Sequence, residues 1–288
     1  MNTASPFDPR QFKDATRGHW DRSAQGWSDQ SNIIRGWLRG ATDAMLAMAE
    51  VGPGMRVLDV AAGAGDQTLD IAERVGPTGF VLATDLSPAI LALADDRLRR
   101  AGIRNVEARA ADGEDLGGLP AHFDAAICRL GLMFFPDPAR GLGEMFRLLK
   151  PGGRACTVVF STPEKNPCVS ILMAVALAHA GLPLRDPDQP GGLLSLGKAG
   201  LTDALFRQAG FSLVATTRLN APFRLPCVGD YLDFIRMSAS PILQILDRLD
   251  ESRKRAAWAE IEDRLDAFAT PDGWEGPNEL LLTIGRRP

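Results

Sequence analysis

The chain has 288 residues, 45% of them hydrophobic and 24% charged, with a formal net charge of −4. That length supports one large α/β domain or two modest ones, and the mild acidity supplies no field to draw in nucleic acid. No apolar run reaches the length of a membrane span, residues 1–10 carry no apolar leader core, and the four scattered cysteines lack C-x-x-C spacing, which points to free thiols in a reducing cytoplasm and to no metal site.

The first fifty residues read as helical. Phe12, Trp20 and Trp27 punctuate a polar stretch, and Ile33, Ile34, Trp37, Leu38, Ala41, Met45 and Met48 then recur at helical spacing. Val51-Gly52-Pro53-Gly54 ends that pattern. A strand is expected at 56–60, a helix at 67–75, a strand at 80–84, and a helix at 88–101 opened by Ser87 as cap and Pro88 at its first position. Strands at 106–110 and 123–129 follow, then a helix at 139–149. Pro151-Gly152-Gly153 reads as a tight turn into a strand at 154–160.

Short apolar strands alternating with helices predict a doubly wound, Rossmann-like α/β fold with a mostly parallel sheet. After residue 161 the rhythm breaks into a helix at 169–180, a Pro/Gly-rich loop at 182–197, a helix at 201–209 and a strand at 211–219. A helical stretch at 226–268 and a last strand at 278–285 complete seven strands, the final two as an antiparallel C-terminal edge hairpin. The predicted organisation is an N-terminal helical lid over 1–50 and a main domain over 51–288 with helical insertions at about 162–200 and 226–268.

The most informative stretch is Asp59-Val60-Ala61-Ala62-Gly63-Ala64-Gly65. It places an acid at a strand end, then glycines that let backbone amides approach a ligand, then a helix whose positive end faces the same spot. A second acid, Asp85, closes the next strand about twenty residues on, where a ribose-binding carboxylate belongs in a βαβ nucleotide site. Thr68 stands where a dinucleotide fingerprint has its third Gly, and no Lys follows as in a P-loop. A carboxylate at Asp59 suits a cofactor bearing an ammonium group better than a pyrophosphate.

Asp59-Val60-x-x-Gly63-x-Gly65, Ala83-Thr84-Asp85-Leu86-Ser87-Pro88, Ala110-Ala111-Asp112-Gly113 and Leu149-Lys150-Pro151-Gly152-Gly153, in that order, resemble the class I S-adenosylmethionine-dependent methyltransferases, in the UbiE-like small-molecule branch. The resemblance implies S-adenosylmethionine as cofactor. It assigns the methionine part to Asp59, Gly63, Ala64 and Gly65, the ribose to Asp85 with Leu86 beside the adenine, the adenine amino group to Asp112 and Gly113, and the amino-acid end to Arg129. The family often has Gly where this chain has Ala61.

Plainer readings stand beside these. The glycines serve a tight turn, Asp112 caps a segment, Arg129 forms a structural ion pair or reaches the acceptor, and Trp20, Trp27 and Trp37 are core. Trp20, Trp27 and His179 are the candidates for contact with substrate, His19 and His179 are weighed as catalytic bases against a structural or solvated role, and no catalytic residue is assigned. The expected activity is methyl transfer to a small hydrophobic or aromatic acceptor at O, C or N. A non-catalytic cofactor-binding protein is the alternative, and a nicotinamide oxidoreductase the third reading. The Trp- and Met-bearing N-terminal helices are a candidate homodimer face.

Overall fold

The computed structural model describes residues 8–118, 121–184, 186, 189–238 and 240–288. The expectation about a leader falls largely on residues 1–7, outside the described residues, as do parts of the 182–197 loop.

Two helices open the chain. In α1 (Pro9–Asp29) Asp8 caps the amides of Arg10 and Gln11 and Pro9 pre-sets the first turn. In α2 (Ser31–Met48) Ile34, Leu38, Ala41, Met45 and Leu46 form one buried stripe. The alternating part then runs β1 (Arg56–Val60), α3 (Asp66–Val75), β2 (Phe80–Asp85), α4 (Pro88–Arg100), β3 (Val106–Ala110), β4 (Phe123–Arg129), α5 (Pro138–Leu148) and β5 (Leu149–Phe160). It continues through α6 (Pro167–His179), α7 (Leu201–Gln208), β6 (Ser212–Asn220), β7 (Phe223–Leu225), α8 (Val228–Ser238), α9 (Ser240–Leu246), α10 (Glu251–Asp266), β8 (Ala269–Thr270), β9 (Gly273–Gly276) and β10 (Glu279–Arg286).

The main sheet has seven strands in the order β3-β2-β1-β4-β5-β10-β6. Strands β3 to β5 are parallel, and β10 runs antiparallel to both β5 and β6, as the predicted edge hairpin requires. The order reverses between β1 and β4, and ligands bind in such folds at the carboxyl ends of the strands flanking that switch. Central strands are buried on both faces, so they read as continuous apolar runs: Val57, Leu58 and Val60 in β1, Ala125 to Cys128 in β4.

Three details differ from expectation. Lys150-Pro151-Gly152-Gly153 does not separate helix from strand. β5 begins at Leu149, pairs there with Phe123, and resumes pairing only at Arg154 with Ala125. The extra residues form a bulge in one continuous strand, with Gly152 at φ 83°. The helical stretch at 226–268 divides into three helices, and the short segments around it add a second sheet, β7-β9-β8. Strands of two to four residues carry too little periodicity to be read from sequence. Finally, α2 packs into the main core with Ile34 and Met45 fully buried.

Candidate functional site

A cavity of about 200 Å³ opens over the carboxyl ends of β1, β2, β4 and β5. Its floor is the turn after β1. Ala61 and Gly63 take positive φ there (57° and 58°), and Gly65, at φ 82°, starts α3. The left-handed backbone suits Gly and strains Ala by roughly 1–2 kcal/mol. Room for the Ala61 methyl comes from Gly131, where an added Cβ would stand 2.4 Å from it.

Asp85 ties two parts of the floor together. It accepts the Gly63 N–H at 3.0 Å and the Ser87 N–H at 2.9 Å, and lines the cavity. Burial raises its pKa, opposed by those amides and by that of Leu86. A carboxylate has about four acceptor positions, so three amides leave acceptor capacity for a hydroxyl group of a ligand.

Asp112 and Gly113 follow β3 and also line the cavity. Gly113 is required by packing, because a Cβ there would stand 2.3 Å from the Phe135 ring. Asp112 and Glu114 both receive the Lys13 ammonium of α1 at 2.6 Å. Burial pulls the Lys13 pKa down, but its two acids together hold it above the ordinary value. Arg129, at the end of β4, donates to Thr42 Oγ1 at 2.7 Å and lines the cavity. Burial lowers its pKa, opposed by the fields of Asp66, Asp59 and Asp70. That hydroxyl uses one of five guanidinium donors.

Helix α1 forms the roof. Asp21 accepts the Ser87 hydroxyl at 2.5 Å, and Gly26 crosses α8 so closely that a Cβ would lie 1.9 Å from the Met237 carbonyl oxygen. Trp20 meets Phe134 and Trp27 edge to face, with centroids 5.7 and 5.6 Å apart. The Trp27 indole nitrogen would be 3.7 Å from a Cβ on Gly63. Trp20, Trp27 and Trp37 all line the cavity and Met45 is buried, so these side chains turn inward.

Of the predicted site residues, the structure brings Gly63, Asp85, Leu86, Asp112, Gly113, Arg129, Trp20 and Trp27 to this cavity. Asp59 does not line it. It is fully buried beneath the turn, where it accepts from Gln67 Nε2 and, at 2.6 Å, from Thr68 Oγ1. Burial pushes its pKa up to about 6, opposed by those bonds. Ala64 packs beside Ala24 and Ile90, and Gly65 faces Ala94, so both serve helix packing. His179 ends α6 and bonds Glu260 of α10 at 2.8 Å, away from the cavity lining. His19 packs inside α1, with Nδ1 2.5 Å from Gln244 Nε2, and burial lowers its pKa to about 4.

Lys13, Thr16, Gln67, Phe134, Phe135 and Leu193 line the cavity without having been singled out. A strand-end rule extended past Arg129 reaches Phe134 and Phe135. No local signal marks Lys13.

Residues 32–176 match the ubiE/COQ5 methyltransferase family. The chain belongs to that family. Among curated relatives, the ubiquinone/menaquinone biosynthesis C-methyltransferase UbiE of Laribacter hongkongensis is 39% identical over 147 residues, covering 50% of this chain and 59% of that protein. The chain spans about half the length of the curated relatives it matches. The solved YcgJ protein of Bacillus subtilis is 19% identical and superposes with a TM-score of 0.58 over 86% of this chain and 98% of that one. The [4+2]-cyclase SpnF gives 19% identity and a TM-score of 0.56 over 93% and 96%. At such identities the structures share the fold alone.

Proposed function

We propose that this family member transfers the methyl group of S-adenosylmethionine to a small, hydrophobic or aromatic acceptor at O, C or N. The observation that carries the reading is the lining of one cavity. Acids on neighbouring strand tips, an arginine and a set of aromatic rings all line it.

The residues fit the cofactor by donor and acceptor type. Asp85 offers acceptor capacity to the sugar hydroxyls, Asp112 to an exocyclic amine, and Arg129 has donors left for a carboxylate. Gly63 lets the floor backbone come close. When bound, S-adenosylmethionine supplies an electrophilic methyl on a sulfonium, so the hard chemistry is the cofactor's. Asp59 supports the floor from below by holding Gln67 and Thr68.

The protein's share is alignment and exclusion of water. The lining Trp37, Phe160, Phe223, Tyr231 and Phe234 form an apolar enclosure that selects an apolar acceptor. Holding an acceptor in line is worth up to about 7–11 kcal/mol of barrier in well-oriented cases. Helix α1 acts as the lid, since it contributes Lys13, Trp20 and Trp27 to the lining.

Calorimetry with S-adenosylmethionine and labelled-methyl transfer to a panel of phenols, quinols and amines test the reading. Saturable binding together with transfer to one class is expected. Binding without transfer to any class would favour a non-catalytic role, and no binding would remove the cofactor assignment.

A further inference from the structure

The aromatic side of the cavity is one connected wall. Trp37 stacks on Phe160 at 6.1 Å and on Phe223 at 4.0 Å; Phe223 meets Tyr231 at 5.0 Å, and Tyr231 stacks on Trp274 at 4.9 Å. Polar atoms in such a wall must be paired or they oppose burial. Most are paired. Trp37 Nε1 donates to the Ala221 carbonyl at 2.7 Å, Trp274 Nε1 to that of Leu265 at 2.8 Å, and Ser238 Oγ to that of Phe234 at 2.5 Å.

Tyr231 is the exception. Its side chain is 1% exposed, and among the described residues its hydroxyl has no hydrogen-bond partner. The hydroxyl is not among the atoms sealed inside the packing without a partner, and the residue lines the cavity. An uncommitted donor and acceptor therefore stands in the cavity wall, with the buried Cys168 near it. Trp27 of the lid meets Phe234 at 6.2 Å, and Phe234 meets Phe223 and Tyr231 at 5.5 and 6.3 Å, so the lid continues the same wall.

We propose that the Tyr231 hydroxyl positions an oxygen of the methyl acceptor and selects oxygen-bearing planar aromatics over their hydrocarbon counterparts. This rests on the acceptor reading given above. Burial holds the phenol well above its ordinary pKa, so it remains a neutral hydrogen-bond donor across the working range. A site that holds a buried hydroxyl for a ligand oxygen penalises the analogue lacking that oxygen, because the hydroxyl is then left unpaired.

The probes are 2-naphthol and naphthalene, titrated into the full chain and into Tyr231→Phe. Wild type is expected to prefer 2-naphthol by about tenfold. Tyr231→Phe should bring the two affinities together, chiefly by weakening 2-naphthol, with melting temperature unchanged or raised. Tyr231 is the only tyrosine, so labelling with 3-fluorotyrosine gives one fluorine resonance, which should move further with 2-naphthol than with naphthalene. That measurement stands even if the Phe variant fails to fold. Equal affinities in wild type, an unchanged preference in the variant, or a resonance indifferent to the oxygen would each overturn the proposal. Calorimetry with S-adenosylmethionine on the same samples judges the cofactor separately: loss of that signal would sink the methyltransferase reading and leave the naphthol comparison to decide Tyr231.

Discussion

The backbone N–H of Gly63 donates to Asp85 Oδ2 at 3.0 Å, joining the glycine turn after β1 to the acid after β2. Two motifs twenty-two residues apart are thus one structural unit. Asp85 shapes the floor of the cavity as well as lining it, so its removal acts twice.

Asp85→Ala should weaken S-adenosylmethionine binding by roughly tenfold to a hundredfold, the worth of charge-assisted bonds at about 1.5–3 kcal/mol. Asp85→Asn keeps one acceptor oxygen and should fall between. Calorimetry on variants whose circular dichroism matches wild type decides it, and unchanged affinity in Asp85→Ala would remove Asp85 from the binding set.

The packing of Gly113 makes a separate forecast about stability. An added methyl would stand 2.3 Å from the Phe135 ring, which also lies 2.5 Å from a Cβ built on Gly141. The ring is confined on both sides and cannot retreat. Gly113→Ala should cost about 1–3 kcal/mol by overpacking, read as a lower midpoint in denaturant.

The lid can be displaced without touching the floor. Gly26→Ala would drive a Cβ against the Met237 backbone oxygen, and backbone cannot yield as a side chain can. Helix α1 should then detach from α8 and become cleavable within residues 9–29 under limited proteolysis. Deleting residues 1–30 should abolish methyl transfer while S-adenosylmethionine still binds. Full activity in the truncated protein would end the lid assignment.

Two buried groups give opposite dependences on pH. His19 has a folded pKa of about 4, below its ordinary 6.5. As pH falls through that window the unfolded chain takes up the proton first, so stability is lost on acidification. Asp59 has a folded pKa of about 6, above its ordinary 3.8. As pH rises through that window the unfolded chain ionises first, so stability is lost on the way up and is recovered in acid. His19→Asn should therefore raise the melting temperature, relative to wild type, more at pH 4.5 than at pH 7.5. Asp59→Asn should show its relative gain at pH 7.5, since the Thr68 hydroxyl can turn to accept from the new amide.

Much of the sheet was legible because it obeys local rules. Continuous apolar runs marked β1, β2 and β4, and Ser87-Pro88 marked the start of α4, where Ser87 Oγ does accept the Ile90 N–H at 3.2 Å. The bulge at Pro151-Gly152-Gly153 was read as a turn because both need the same residues, and only pairing with β4 and β10 tells them apart. His179 looked available to substrate because sequence does not show which face of α6 meets α10.

The sequence by itself determined the doubly wound fold and the positions of Asp85 and Asp112 just after strands, because strand ends, caps and glycine turns are written in neighbouring residues. Only the tertiary structure decided that Asp59 lies beneath the floor, that Lys13 reaches Asp112 from ninety-nine residues away, and that the Tyr231 hydroxyl has no hydrogen-bond partner among the described residues. Those facts depend on burial and on contacts between distant segments, which the packing of the whole chain sets.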